Sequence, residues 1–412
     1  MMLSKSFAAI AHIGDADDRF RFILPSHCAL SIFLIYSLLM SCIVFTGGGT
    51  GGHIFPGIAV AEVLQKETRV PIIWIGSNNG ADRTYVRSAG IPFYGIPAGK
   101  LRRYFSIQNM LDVFKIIGGF FASLIILIRL KPDFVFSKGG FVSVPPCAAA
   151  HFLHIPVITH ECDFSPGLAT KINTRFASGI FVSYAKTAAF FPDAVQKKIT
   201  ITGNPVRMRF YSADAAAGKA FVQYTGDKPL LFVQGGSLGA LQINLLIEQS
   251  ILFLVEHFFV VHQTGAQHLA HGERIKKQLE QERPDLSAFY RPFPFIGEQM
   301  PDVLAAADLV MARAGANTIW EAAAAGKPLL LLPLKKGSSR GDQIENASFF
   351  AEQGAAVVLS SDEATASTLC EQLTRFLNRP EELQAMAHAS AALADGKPAV
   401  KIAGLLRQWI KQ

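Results

Sequence analysis

The chain has 412 residues, enough for two domains of ordinary size, and with 50% hydrophobic and only 17% charged residues it can build large cores. A net charge of +7 suits phosphates or anionic lipids, but the aromatic residues are mostly phenylalanines inside apolar runs, which argues against a nucleic-acid surface. Five cysteines without a C-x-x-C pair argue against a disulfide framework and a zinc site, and 34 glycines favour a loop-rich α/β protein over a helical bundle.

In chain order, the first segment is ambiguous. Residues 28–45 are almost entirely apolar and could form a signal anchor or a membrane helix. Yet Ser41–Phe45 is needed as the first strand of the unit that follows, and a segment cannot cross a bilayer and also feed that turn. The chain is therefore expected to start at Met40, with 1–39 an upstream extension; the alternative is a hydrophobic tail that touches a membrane.

A strand at 42–46 leads into Gly47-Gly48-Gly49-Thr50-Gly51-Gly52-His53, and Ile54, Ile58, Ala61 and Leu64 then mark one face of a helix. Glycines there let a ligand approach the backbone, and the helix start favours an anion. Gly47, Gly49 and Gly52 satisfy G-x-G-x-x-G. However, the strand at 71–75 ends in Gly76-Ser77-Asn78 without the acid that would hold a ribose, and no Lys-Ser/Thr pair follows the glycines. Neither a dinucleotide site nor a P-loop is indicated. His53 sits either at a phosphate or sugar hydroxyl, or simply in water.

Lys100 to Lys131 combines Leu101, Tyr104, Phe105 and a long apolar helix with Arg102, Arg103, Lys115 and Arg129. It reads either as a buried helix or as an in-plane contact with an anionic membrane. Strands at 133–136 and 156–159 end in Ser137-Lys138-Gly139-Gly140-Phe141 and His160-Glu161-Cys162-Asp163. Both loops fall at the carboxyl edge of the first sheet, where open α/β sheets bind ligands. A strand at 179–183 follows, and Thr200–Arg207, containing Asn204-Pro205, reads as a hinge.

The alternation then restarts, with strands at 230–234, 258–262, 288–291, 308–312, 328–332 and 355–359, helices from 365 to 391, and a last amphipathic helix from Ala399 to Ile410. Gly235-Gly236-Ser237-Leu238-Gly239-Ala240 is a second glycine loop. In Arg313-Ala314-Gly315-Ala316-Asn317-Thr318-Ile319-Trp320-Glu321, a helix start can take a diphosphate while Glu321 accepts both ribose hydroxyls; the alternative is a plain helix cap. Gln343 and its neighbours offer an amide and carboxylates for sugar hydroxyls.

Together the motifs GGTGGHIFPG (48–57), GGFVS (139–143), HE (160–161), GNPVR (203–207), GGSLGA (235–240), RAGANTIWEAAAAG (313–326) and DQIENA (342–347) resemble, in order, the MurG family of N-acetylglucosaminyltransferases. That family converts lipid I to lipid II in peptidoglycan synthesis. The resemblance implies a GT-B fold, two Rossmann-like doubly wound domains facing across a cleft. It places an acceptor and membrane-facing domain at 40–203, a UDP-sugar domain at 204–396 and a C-terminal helix at 397–412. It also implies that Thr50, Gly51 and Gly52 face the donor sugar. Arg207, Ser237, Ile296, Ala316, Asn317, Thr318, Ile319, Trp320, Glu321 and Gln343 would contact the donor, Ile296 through its backbone to uracil. His53 is expected to act at the acceptor hydroxyl. Where the family usually has His-Glu-Gln-Asn, this chain has Asp163 in place of the Asn, so a hydrogen-bond donor becomes an acceptor.

The implied partners are UDP-N-acetylglucosamine, lipid I and the anionic phospholipid of the cytoplasmic face of the bacterial inner membrane, with other cell-wall enzymes possible. The implied reaction inverts the anomeric carbon. The Asp-x-Asp pair of this chain, Asp15-Ala16-Asp17, lies in the extension, so helix dipoles and loop N–H groups are expected to stabilise the leaving UDP without metal or other cofactor. His53 and Asp163 are the rival bases. Competing functions are a glycolipid glucosyltransferase, a sugar 2-epimerase, a nicotinamide-dependent oxidoreductase and a non-catalytic nucleotide-sugar-binding protein.

Overall fold

Apolar triplets such as Ile43-Val44-Phe45, Phe134-Val135-Phe136 and Leu230-Leu231-Phe232 are buried completely, as strands must be when helices cover both faces of a parallel sheet. The computed structural model describes residues 41–411 apart from 79, 101–106, 237–238 and 336–340, and the side chains of 107–111. Residues 1–39 therefore lie outside the described residues, as do Leu101, Arg102, Arg103, Tyr104 and Phe105.

The first sheet contains β1 (Ile43–Thr46), β2 (Ile72–Ser77), β3 (Phe93–Ile96), β4 (Phe134–Ser137), β5 (Val157–Glu161), β6 (Gly179–Val182) and β7 (Ile199–Ile201), in the order β3-β2-β1-β4-β5-β6-β7. The second contains β8 (Leu230–Gln234), β9 (Phe259–Gln263), β10 (Tyr290–Phe293), β11 (Leu309–Ala312), β12 (Leu329–Leu331) and β13 (Ala356–Val358), in the order β10-β9-β8-β11-β12-β13. All the pairings are parallel. In each sheet the chain reverses its direction of growth beside the first strand, between β1 and β4 and between β8 and β11. Loops leaving the carboxyl ends at such a point part and make a crevice. The glycine loops after β1, β4, β8 and β11 all leave from these two points.

Every strand expected from the sequence is present, within a residue or two at its ends. The structure adds β3 and β7, the two edges of the first sheet. Thr200 and Ile201, expected in the hinge, belong to β7, so the connection begins beyond them.

The helix Pro398–Arg407 crosses back to the first domain. Ala399, Ile402, Ala403 and Leu406 pack in one core with Ile43, Phe45, Ile58 and Leu64, and Arg407 reaches Glu67 at 3.3 Å. Spacing at i, i+3, i+4 and i+7 puts those four side chains on one face.

The helix Ile107–Leu130 is the crossover from β3 to β4. Its segment Asp112–Leu130 is long and apolar enough to span a bilayer. Leu127, however, is fully buried with Val44, Ile75 and Val135, and Phe120 and Leu124 pack beside it. The helix thus belongs to the domain. Its other face, at Phe114, Ile117, Phe121, Ile125 and Ile128, is about half or more exposed.

Candidate active site

Two glycine loops of the first domain press together so closely that no side chain fits between them. A Cβ on Gly140, whose φ is +76°, would stand 2.4 Å from the Gly48 oxygen and 2.8 Å from the His53 ring. The Gly49 N–H donates to both oxygens of Asp82 at 3.1 Å, and the Ser77 N–H donates to Oδ2 at 3.3 Å. Burial holds the Asp82 pKa above its ordinary value, and these backbone donors offset that rise only in part. A carboxylate of the protein thus occupies the amide that a dinucleotide phosphate would need, which argues against the oxidoreductase reading. Sequence reasoning sought an acid at the end of the second strand; Asp82 arrives from the helix after it.

Gly51–His53 forms a single 3-10 turn, and His53 Nδ1 lies 3.2 Å from the Lys138 carbonyl oxygen. Beneath it, Lys138 Nζ lies 2.6 Å from His160 Nδ1, and His160 Nε2 lies 3.0 Å from the Gly203 carbonyl oxygen. Burial, helped by the charge of Lys138, holds the His160 pKa well below its ordinary value, so this ring is neutral.

Glu161, Cys162 and Asp163 offer ligand atoms close enough for a metal. The geometry gives them other work. The two Glu161 oxygens accept the N–H groups of Cys162, Asp163 and Gly167 at 2.9–3.0 Å. Asp163 Oδ1 accepts from Asn346 Nδ2 at 3.3 Å, while Asn346 Oδ1 accepts the Phe164 N–H at 2.9 Å. Asn346 comes from the second domain, so an amide across the cleft faces the acceptor that Asp163 introduces. The sequence placed Asn346 in a motif without assigning it this part.

The second domain closes on the same loops. Asn317, in the first turn of the helix Ala316–Ala324, donates to the Gly52 oxygen at 3.3 Å and accepts from Asn204 Nδ2 at 3.3 Å. Thr50, Gly51 and Gly52 are at least partly exposed on the facing rim. The Arg207 guanidinium stacks between Phe55 at 5.6 Å and Phe210 at 5.4 Å, and its Nε has no hydrogen bond among the described residues. Burial pushes the partly exposed Glu321 up to about 7, and Arg207 opposes that rise.

Several groups expected at the donor are already engaged within the protein. Ile319 is 0% and Trp320 3% exposed, and Trp320 Nε1 donates to Tyr184 OH at 3.0 Å. Their side chains join the interdomain core, with Ala316 and Ala323 on the same helical face, so Asn317, Thr318 and Glu321 are left to the cleft. Ile296 is buried, and its N–H already donates to Gln263 Oε1 at 2.7 Å, leaving its carbonyl as the backbone group to offer a base. Gln343 Oε1 accepts the Leu334 N–H at 3.2 Å, which fixes the side chain at the start of the helix Asp342–Glu352. Ser237 lies outside the described residues. Its loop is drawn tight beside it: a Cβ on Gly239, at φ +79°, would stand 2.1 Å from the Thr264 oxygen.

Residues 43–182 match the glycosyltransferase family 28 N-terminal domain and residues 230–402 the family 28 C-terminal domain. A Treponema denticola protein described as UDP-N-acetylglucosamine–N-acetylmuramyl-(pentapeptide) pyrophosphoryl-undecaprenol N-acetylglucosamine transferase is 54% identical over 383 residues, 90% of this chain and 98% of that protein. The crystal structure of Acinetobacter baumannii MurG aligns with a TM-score of 0.69 and 27% identity, over 89% of this chain and 99% of that one. A UDP-GlcNAc 2-epimerase from Neisseria meningitidis shares the fold alone, with a TM-score of 0.61 and 15% identity over 90% of this chain and 100% of that one. With both domain matches and so close a full-length relative, the chain belongs to the MurG family within glycosyltransferase family 28.

Proposed function

We propose that this protein transfers N-acetylglucosamine from UDP-N-acetylglucosamine to undecaprenyl-pyrophosphoryl-MurNAc-pentapeptide, lipid I, giving lipid II. The observation that carries the reading is the contact of Asn317 with Gly52, which brings the start of the donor helix against the loop that bears His53. The acceptor hydroxyl attacks the anomeric carbon, its proton passes to His53, and UDP leaves from the opposite face, so the configuration inverts. The first-turn N–H groups of the helix Ala316–Ala324 and the Arg207 cation favour the charge that grows on the diphosphate. Glu321 holds the ribose, and Gln343 reads the sugar hydroxyls. UDP release from UDP-N-acetylglucosamine should require a lipid I analogue. Release that ignores the acceptor, or conversion of the donor to its 2-epimer, would overturn the assignment.

The lipid on the acceptor keeps the reaction near a bilayer, and a cytosolic UDP-sugar puts it on the cytoplasmic face. The exposed stripe of the helix Ile107–Leu130 is the apolar part of the contact, lying in the plane of the membrane, with Lys115 and Arg129 beside it for an anionic surface. Each such side chain removed from water contributes about 1.5–3 kcal/mol. Phe121→Asp combined with Ile125→Asp should therefore weaken vesicle binding by roughly a hundredfold or more while UDP-N-acetylglucosamine affinity stays the same. Equal sedimentation of both proteins with anionic vesicles would remove this face from the contact.

A further inference from the structure

Lys138 is 1% exposed, yet neither its stem nor its position at the end of β4 explains a charged head. The stem is held tightly: added Cβ atoms on Gly47 and Gly57 would come within 3.2 Å of its Cβ and Cγ. An apolar side chain could fill that space. Only a donor can satisfy what lies at its tip.

The hydrogen bonds fix who donates. The Gly203 carbonyl can only accept, so His160 Nε2 carries the hydrogen. The ring is neutral, so Nδ1 is a bare lone pair, and Lys138 Nζ is the donor across 2.6 Å. Burial works against the charge on Lys138, while Cys162, Glu161 and Asp163 at the neighbouring turn favour it. The Lys138 carbonyl likewise can only accept, so His53 Nδ1 is the nitrogen that carries a hydrogen in this contact, and in the uncharged form of the ring the lone pair is then on Nε2. One residue thus touches both histidines, by its main chain on one side and its side chain on the other.

We propose that Lys138 is a positioning residue for the transfer: its carbonyl selects the tautomer of His53 in which Nε2 takes the acceptor proton, and its head, tied to His160, holds that carbonyl in place. The proposal rests on His53 being the proton acceptor. Loss of the head leaves His160 Nδ1 unsatisfied and frees the Lys138 peptide to shift, and the His53 ring is then no longer confined to one tautomer.

The test joins ring nitrogen-15 spectroscopy to kinetics on the full chain. In the unsubstituted protein His53 should show the Nδ1–H form and His160 the Nε2–H form; the opposite form at either ring would overturn the proposal without any variant. In Lys138→Met, His53 should become a mixture of tautomers. Turnover should fall at least tenfold, with the KM for UDP-N-acetylglucosamine within twofold of the original. Adding His160→Phe should cost little more, because the partner of the missing head is removed with it. A folded Lys138→Met protein with an unchanged His53 spectrum, or losses that simply multiply in the double variant, would refute the role. His53→Gln with full turnover would instead refute the assignment of the base, and the spectra would still report on Lys138.

Discussion

Replacing His53 with Gln should lower turnover about 10²–10⁴-fold, the range supplied by a positioned general base. Binding of UDP-N-acetylglucosamine, measured by calorimetry, should change little, because Arg207, Glu321 and the helix Ala316–Ala324 are untouched. The separation matters, since a residue that held the donor would raise KM, whereas one that accepts a proton in the transition state lowers kcat and kcat/KM together. Turnover within tenfold of the original would move the base elsewhere, with Asp163 the next residue to replace.

The second large effect concerns Glu321. Its ordinary pKa of 4.5 is raised to about 7 in the folded protein. Two ribose hydroxyls donate best to an ionised carboxylate, so donor binding should release a proton. Affinity for UDP-N-acetylglucosamine should then rise about tenfold from pH 6 to pH 8 and level off above, each tenfold step corresponding to about 1.4 kcal/mol. Glu321→Ala should bind the donor more weakly by roughly 1.5–3 kcal/mol at pH 8 and should flatten the pH dependence. Folding runs the opposite way with pH. The folded state binds the proton more tightly than the unfolded one, so the contribution of Glu321 to stability is complete below pH 4.5 and is lost as pH rises through about 7. The ligand-free protein should lose thermal stability across that interval, and saturating donor should restore it. A donor affinity that does not vary with pH in a protein whose Glu321→Ala variant binds weakly would separate the ribose contact from the raised pKa.

The interior strands were legible because burial on both faces demands runs such as Leu230-Leu231-Phe232-Val233, with a glycine loop to punctuate β1, β4, β8 and β11. The two strands that escaped are edges. Phe93-Tyr94-Gly95-Ile96 leaves Tyr94 exposed and contains a glycine, and Ile199-Thr200-Ile201 leaves Ile201 exposed, so neither carries the fully apolar signal. The site was legible at the level of loops. Which atoms meet was not, because His160 finds Lys138 only when β4 and β5 lie side by side, and Asp163 finds Asn346 only when two domains meet. Ile319 and Trp320 are a different case. Ala316, Ile319, Trp320 and Ala323 repeat at i, i+3, i+4 and i+7, so the helical period already set them apart from Asn317 and Glu321.

The return of the helix Pro398–Arg407 to the first domain also bears on how the protein is made. The apolar face of the helix Phe55–Glu67 is finished only by Ile402, Ala403 and Leu406, which leave the ribosome roughly 200 residues after β7. At about 5–20 residues per second, the first domain waits on the order of 10–40 s with part of its core uncovered. That interval is when the nascent chain is most exposed to chaperones and to aggregation, and emergence of the helix Pro398–Arg407, rather than completion of the first sheet, is the event that closes it.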